Sequence, residues 1–196
     1  MAEEHYHNAI VERSWAALQE LRKRYDFVLI GGWAAWVHAR GAKSRDIDIV
    51  VDYPELARLR VDYQVRKNER LKKYEIKADG FDIDIYVPHY STTLALPAEF
   101  VRQRVENREG FLVPDAETLL ALKLGAWAER RGTPKGSKDR TDIQALLPLT
   151  SRERFAAMLA QSGAGQNRAA ALLNLYDEAC RDISHRGRQP RRAPGP

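Results

Sequence analysis

Hydrophobic positions recur along the chain with two different periods, and the change of period marks out its elements. From about residue 4 to 24, Ile10, Val11, Trp15, Leu18 and Leu21 return at three- and four-residue steps, the spacing of one helix face. The run "DFVLI" (26–30) is short and apolar and is closed by Gly31-Gly32, as a buried strand ending in a turn would be. "WAAWVHA" (33–39) suits a short helix. "DIDIVVD" (46–52) is rich in β-branched residues and reads as a strand. Pro54 stands at the first position of a helix over 54–64, where a missing N–H is harmless. "KKYEIKADGFDIDIYVP" (72–88) alternates on both sides of Asp79-Gly80 and predicts a hairpin.

Beyond Pro88 the period lengthens. "STTLALP" reads as a loop, "PAEFVRQRVEN" (97–107) as a short helix and "GFLVP" (110–114) as a short strand. A strong helix is predicted over 114–131, with Pro114 at its start and Asp115 and Glu117 in the first turn, where the helix dipole favours acids. "GTPKGSK" breaks it, and further helices are expected over 139–147, 151–161 and 166–183. The predicted fold class is α/β (α+β): a small mixed β-sheet core with flanking helices, then a helical C-terminal part. The expected division is an α/β core over 1–98, a helical part over 99–184 and a disordered basic tail over 185–196.

Composition narrows this picture. A chain of 196 residues with 44% hydrophobic and 30% charged positions can bury a core without covalent staples. The lone cysteine, Cys180, rules out an internal disulfide framework and a cysteine-rich zinc site. No stretch reads as a secretory leader, and no apolar run reaches the roughly 18 residues of a membrane span. The expected compartment is the cytoplasm, with no membrane partner. The net charge of +5 invites a nucleic-acid reading, but it is unevenly placed. The last twelve residues, "HRGRQPRRAPGP", hold four arginines and no acid; without them the basic count falls from 32 to 28 against 27 acids. Such a tail either adds sequence-independent affinity for phosphate backbones or simply keeps the chain in solution.

The chemistry is carried by glycines and aspartates. A strand ending in Gly31-Gly32 and running straight into a helix leaves backbone N–H groups free to meet phosphate. Taken alone this is a weak signal, since "GGWAAW" is neither G-x-G-x-x-G nor a P-loop and a tight turn explains it as well. The aspartates say more. Residues two apart on a strand share a face, so Asp46 and Asp48 point one way while Ile47 and Ile49 point the other. A solvated polar face would explain one such pair, as half-exposed strands alternate in this way. The second hairpin repeats the pattern with Asp82 and Asp84. Carboxylates from neighbouring strands on one face repel unless a cation compensates them, and Mg2+ (or Mn2+) prefers such hard oxygen ligands shared with substrate phosphates. One carboxylate could also take a proton from an attacking hydroxyl. Parity leaves Asp82 and Asp84 equivalent as the third acid.

Gly31-Gly32, a spacer of thirteen residues, "DIDI", and a later strand "DIDIY" together resemble the DNA polymerase β-type nucleotidyltransferase superfamily. Ser44, two positions before Asp46, matches a Ser/Thr common there. The resemblance implies a nucleotidyltransferase core, in which Asp46 and Asp48 bind the metals that carry a nucleoside triphosphate (NTP) and a third acid activates the acceptor hydroxyl. It favours Asp84 for that role and makes all three metal ligands. The segment "LLALKLGAWAERRGTPKGSKDRTDIQALL" is similar to the helical part of the AbiEii-type branch, the toxins of type IV toxin–antitoxin systems. The matching positions are Lys123, Arg130, Lys138, Asp139 and Asp142, with "GTPKGS" inserted between Arg130 and Lys138. This implies that Lys123, Arg130 and Lys138, with Gly31, Gly32 and Ser44, hold the triphosphate. It also implies an acceptor such as tRNA, another RNA or a small hydroxylated molecule, and an antitoxin protein as partner. Lys123 and Arg130 are seven apart and share a helix stripe, although a lysine in an apolar run also commonly snorkels to solvent. Trp33 and Trp36 are three apart and expected to pack in the core. Arg45 is placed to reach a phosphate or to pair with the acids, while His5 and His7 read as surface residues.

Overall fold

The computed structural model describes residues 2–186, with side chains over 8–183. Residues 187–196, which hold most of the expected basic tail, lie outside the described residues, as do the side chains of His5 and His7.

The elements run α1 (Ala2–Arg24), β1 (Val28–Ile30), α2 (Gly31–Ala39), β2 (Ile47–Val50), α3 (Tyr53–Asp62), β3 (Arg66–Asn68), β4 (Lys73–Lys77), β5 (Asp82–Tyr86), α4 (Ala98–Gln103), β6 (Val105–Arg108), β7 (Phe111–Pro114), α5 (Ala116–Glu129), α6 (Pro134–Leu146), α7 (Arg152–Gln161) and α8 (Gln166–Arg186). The fold is mixed α and β, as expected. Side-chain caps set several helix starts by satisfying orphan backbone donors. Asp52 accepts from Glu55 N at 2.9 Å, Asp115 from Thr118 N at 2.9 Å and Ser151 from Arg154 N at 3.2 Å.

Three elements differ from the sequence reading. Helix α6 begins at Pro134, five residues before the expected 139, because Thr133 accepts from Gly136 N at 3.1 Å and Pro134 suits the first turn. Gly136, read as a breaker, is required inside that helix, since a Cβ there would stand 2.8 Å from the Arg130 carbonyl carbon. The expected helix over 97–107 stops at Gln103, and β6 follows. Glu109 and Gly110 both take positive φ, 52° and 81°, which is the geometry of a tight hairpin joining β6 to β7. The polar strand β3 has no apolar alternation to betray it, and it lies at the sheet edge.

The seven strands form one sheet in the order β3-β4-β5-β2-β1-β7-β6. The central pair β5/β2 and the pair β1/β7 are parallel; the other neighbours are antiparallel. Strands β6 and β7 come from after residue 98, so the sheet draws on both sides of the expected boundary. Ile47, Ile49, Ile83 and Ile85 are buried in the hydrophobic core. Alternation then turns Asp48, Asp84 and Tyr86 to the opposite face, towards a cleft that α5 and α6 complete. Trp33 is buried, with its ring tilted against Trp15 and edge-on to Trp36, the packing role expected of it. Among the described residues, no helix is long and apolar enough to cross a membrane.

Candidate active site

Strand register creates the centre of the site. In the parallel pair β2/β5, Asp48 stands directly opposite Asp84, and in the antiparallel pair β4/β5, Glu75 stands opposite Asp84. Directly opposed residues share a face, so Asp48, Asp84 and Glu75 form a row of carboxylates across three adjacent strands. Asp46 lies just before β2 begins, and its Oδ1 accepts from the Asp82 backbone N–H at 3.3 Å. Asp82 itself pairs with Lys77 at 2.6 Å near the edge of this face. The structure therefore separates the two candidates for the third acid: Asp84 and not Asp82 lines the cleft.

The cleft has a volume of about 640 Å3 and is walled by Gly32, Ser44, Asp46, Asp48, Asp84 and Tyr86 on the sheet side and by Lys123, Arg130 and Lys138 from the helical side. Eight of the nine site residues expected from the sequence thus line one cavity. The ninth, Gly31, lies directly behind Asp48. Its φ is +68°, and a Cβ there would overlap the carboxylate, approaching Asp48 Cγ to 2.7 Å. A Cβ on Gly32 would lie 2.8 Å from Ser44 Oγ and 3.3 Å from Lys138 Nζ. The cap residue of α2, Ile30, offers no side-chain acceptor, which leaves the first N–H groups of this nine-residue helix without a side-chain cap.

The cations are not equivalent. Lys138 Nζ donates to Ser44 Oγ at 3.0 Å and, among the described residues, has no carboxylate within 4 Å. Burial, and then the neighbouring Lys123 charge, pull its pKa down, while Asp142, Asp48 and Asp46 oppose this. Lys123 is already compensated: its ammonium lies 2.7 Å from Asp142 Oδ2 and 3.4 Å from Asp139 Oδ1, and all three groups are buried. Arg130 reaches Asp139 at 3.3 Å from the cleft side. Asp142 also accepts from Ala42 N at 3.1 Å, which ties the loop before β2 to α6. Sequence reasoning missed Lys73, Glu75, Tyr86, Arg70 and Lys135. Lys73 Nζ stands 2.6 Å from Asp84 Oδ2 and 3.1 Å from Glu75 Oε1. Arg45 is exposed and does not line the cleft.

Crowded, poorly hydrated carboxylates resist ionisation. Burial pushes the Asp48 pKa up and Asp46 adds to the rise, against the pull of Lys123, Lys73 and Lys138. Burial and the Asp48 charge push Asp84 up to about 6, despite its contact with Lys73. The same two carboxylates, after burial, hold the Tyr86 phenol well above its ordinary value. An acid with a higher pKa in the folded than in the unfolded chain weakens the fold once it ionises. For Asp84 that penalty is absent below 3.8 and complete above about 6; Asp48 acts in the same direction. Replacing Asp48 with Asn in metal-free protein is accordingly expected to raise Tm at pH 7.5 by about 2–4 °C, on the order of 1 kcal/mol. The gain should vanish at about pH 3.5, below the ordinary carboxylate value. Thermal melts in EDTA across that range check both statements.

Among the described residues, no group of three or more His, Cys, Asp or Glu side chains is drawn together tightly enough to hold a metal ion. Asp46, Asp48 and Asp84, expected as its ligands, line the same cleft without being drawn into such a group. Asp46 is tied back to β5, and the Lys73 ammonium occupies one oxygen of Asp84. What remains is the Asp48–Asp84 pair, with Asp84 Oδ1 buried and without a hydrogen-bond partner.

No protein-family model matches this chain, and comparison with curated proteins gives no match. Solved structures of similar chain path include an antigenic nucleotidyltransferase-like protein from Paracoccidioides brasiliensis, at 19% identity and a TM-score of 0.47 over 90% of each chain. Another is JHP933 from Helicobacter pylori, at 14% identity and a TM-score of 0.48 over 95% of this chain and 96% of that one. The likeness is one of chain path at low identity and says nothing of substrate.

Proposed function

We propose that the chain is a nucleotidyltransferase that moves a nucleoside monophosphate from an NTP to an acceptor hydroxyl or phosphate and releases pyrophosphate. The observation that carries this reading is the opposed pair Asp48 and Asp84, facing a cleft lined by cations and by an uncapped helix start. The motif resemblance of Gly31-Gly32, Ser44 and the two "DID" strands points the same way. The first N–H groups of α2, Ser44 and Lys138 are suited to the triphosphate, since fixed donors and cations stabilise charge on transferring phosphoryl groups. Lys123, compensated by Asp139 and Asp142, shapes the wall, and Arg130 adds charge at its mouth.

The donor set fits a divalent ion. Mg2+ is commonly held by one or two carboxylates plus substrate phosphates, and Asp48 and Asp84, with an unpartnered oxygen, supply such a pair beside Asp46. A bound ion there would neutralise phosphate oxygens during transfer. In the reaction the acceptor oxygen bonds to the α-phosphorus as the bond from that phosphorus to the α–β bridging oxygen breaks. Pyrophosphate leaves with the electron pair, and Asp84 accepts the acceptor's proton.

Arg70 and Lys135, which also line the cleft, favour a polyanionic acceptor, an RNA such as tRNA, over a small hydroxylated molecule. A toxin role with a cognate antitoxin is part of this proposal on the strength of the motif resemblance alone. The test is calorimetry of MgATP and MgGTP binding to the Asp46→Ala/Asp48→Ala variant. That variant is expected to stay folded and to lose binding by about 100-fold or more, as removal of such electrostatic partners commonly does. Unchanged affinity would sink the proposal. Nucleotide binding without label transfer to RNA or to any small hydroxylated acceptor would instead favour a binding module on the same fold.

A further inference from the structure

The shortest ion pair in the carboxylate row, 2.6 Å, belongs to a residue that the proposed chemistry does not use. Lys73 projects from β4 onto the same face as Glu75, two residues on, and so towards Asp84 of β5. Its side chain is 11% exposed, and its ammonium lies between Asp84 Oδ2 at 2.6 Å and Glu75 Oε1 at 3.1 Å. Glu75 is held in turn: Asn68 Nδ2 donates to the same Oε1 at 2.9 Å, and Asn68 Oδ1 accepts from Leu71 N at 2.9 Å in the β3–β4 turn. The ammonium is thus fixed from behind by a chain of bonds that begins outside the carboxylate row. Lysine side chains are rarely buried unless paired, and this one is paired with a cleft carboxylate. Asp84 presents one oxygen to Lys73, while the other is buried and without a hydrogen bond.

We propose that Lys73 is a resident counter-ion of the cleft: it holds Asp84 beside Asp48 when no metal is present, competes with a divalent cation for that carboxylate, and so sets the affinity of the site for metal. The inference rests on the nucleotidyltransferase reading only in taking Asp48 and Asp84 as the metal pair. Two consequences follow from charge, and a third from the direct contact of Lys73 with Asp84. A neutral side chain at position 73 removes a competing positive charge a few ångströms from the ion, so metal should bind more tightly. An arginine keeps the charge and should keep the affinity near that of the wild type. The effect should pass through Asp84, because that is the carboxylate for which the two cations compete.

The test is Mn2+ binding, followed by the electron paramagnetic resonance signal of the free ion, with no nucleotide and no acceptor present. Lys73→Met is expected to tighten binding about tenfold. Lys73→Arg should stay within about twofold of the wild type, and in an Asp84→Asn background Lys73→Met should change the affinity less than about twofold. A merely structural role for Lys73 would weaken binding in Lys73→Met or leave it unchanged, and either result overturns the inference. An equal gain with and without Asp84 also overturns it, because the lysine would then act only through its general field. Should Lys73→Met reduce the yield of folded protein, Lys73→Gln reads the same quantity with a side chain that keeps a polar end. A wild-type protein that binds no Mn2+ overturns the metal pair itself, and the inference with it. A wild type that binds Mn2+ with no response to Lys73→Met overturns the inference alone.

Discussion

Replacing Asp142 with alanine is expected to destabilise the protein by about 3–5 kcal/mol, the range for removing one partner of a buried ion pair. For a chain of this size that is a fall in Tm of about 6–20 °C. The carboxylate is fully buried and serves two groups, the Lys123 ammonium at 2.7 Å and the Ala42 N–H at 3.1 Å. Alanine leaves Lys123 with Asp139 alone at 3.4 Å and strands the Ala42 donor beside Gly41, where a Cβ would stand 2.7 Å from Asp142 Oδ1. The control is a double-mutant cycle with Lys123→Met. If the ion pair is the cause, the two changes together cost less than their sum by about 1 kcal/mol or more in urea melts. Strict additivity would show that the loss comes from packing and the Ala42 bond instead. Because Asp142 also anchors the loop that carries Ser44, nucleotide affinity should fall even where the variant remains folded at 20 °C.

Gly31→Ala is the second large effect. The glycine sits at φ +68°, where an L side chain costs about 1–2 kcal/mol. The added Cβ also meets the Asp48 carboxylate, with Cγ at 2.7 Å and Cβ at 2.8 Å, and overpacking of this kind costs about 1–3 kcal/mol more. The expected total is about 2–5 kcal/mol, seen as a drop in Tm, with Asp48 displaced from its place opposite Asp84. Gly32→Ala separates the two causes. Its Cβ would crowd Ser44 and Lys138 rather than Asp48, and its φ is not positive, so it should affect phosphate affinity more than stability. A Gly31→Ala protein as stable as the wild type in parallel melts would remove the steric account of this turn.

Much of this site was legible because strand parity is a strong rule. Asp46 and Asp48 had to share a face, and Ile47 and Ile49 had to take the core. The Asp79-Gly80 turn made the β4/β5 hairpin readable as well, so the pairing of Lys77 with Asp82 and of Glu75 with Asp84 was implicit in the text of the chain. Lys73 was missed because lysine at the start of a strand ordinarily points to water. Only the burial of the row shows that it does not. Parity could not choose between Asp82 and Asp84, since the choice depends on distance along the strand from the cleft. Helix α6 starts earlier than expected because "GTPKGSK", with its two glycines and a proline, reads as a break, whereas the missing side chain of Gly136 is what lets α6 pass the Arg130 carbonyl. The chemistry of Lys123 was equally hidden. Its partners Asp139 and Asp142 lie on the next helix, and one sequence does not reveal which buried charges meet.

The parallel pairing of β1 with β7 bears on where this chain can be cut. A fragment ending at residue 98 would keep both "DID" strands yet strip β1 of its outer neighbour. That would bare Val28, Leu29 and Ile30 along an unprotected sheet margin, the kind of surface that recruits other chains into aggregates. A shortened version of the protein keeps that margin covered only if it carries the chain through Pro114.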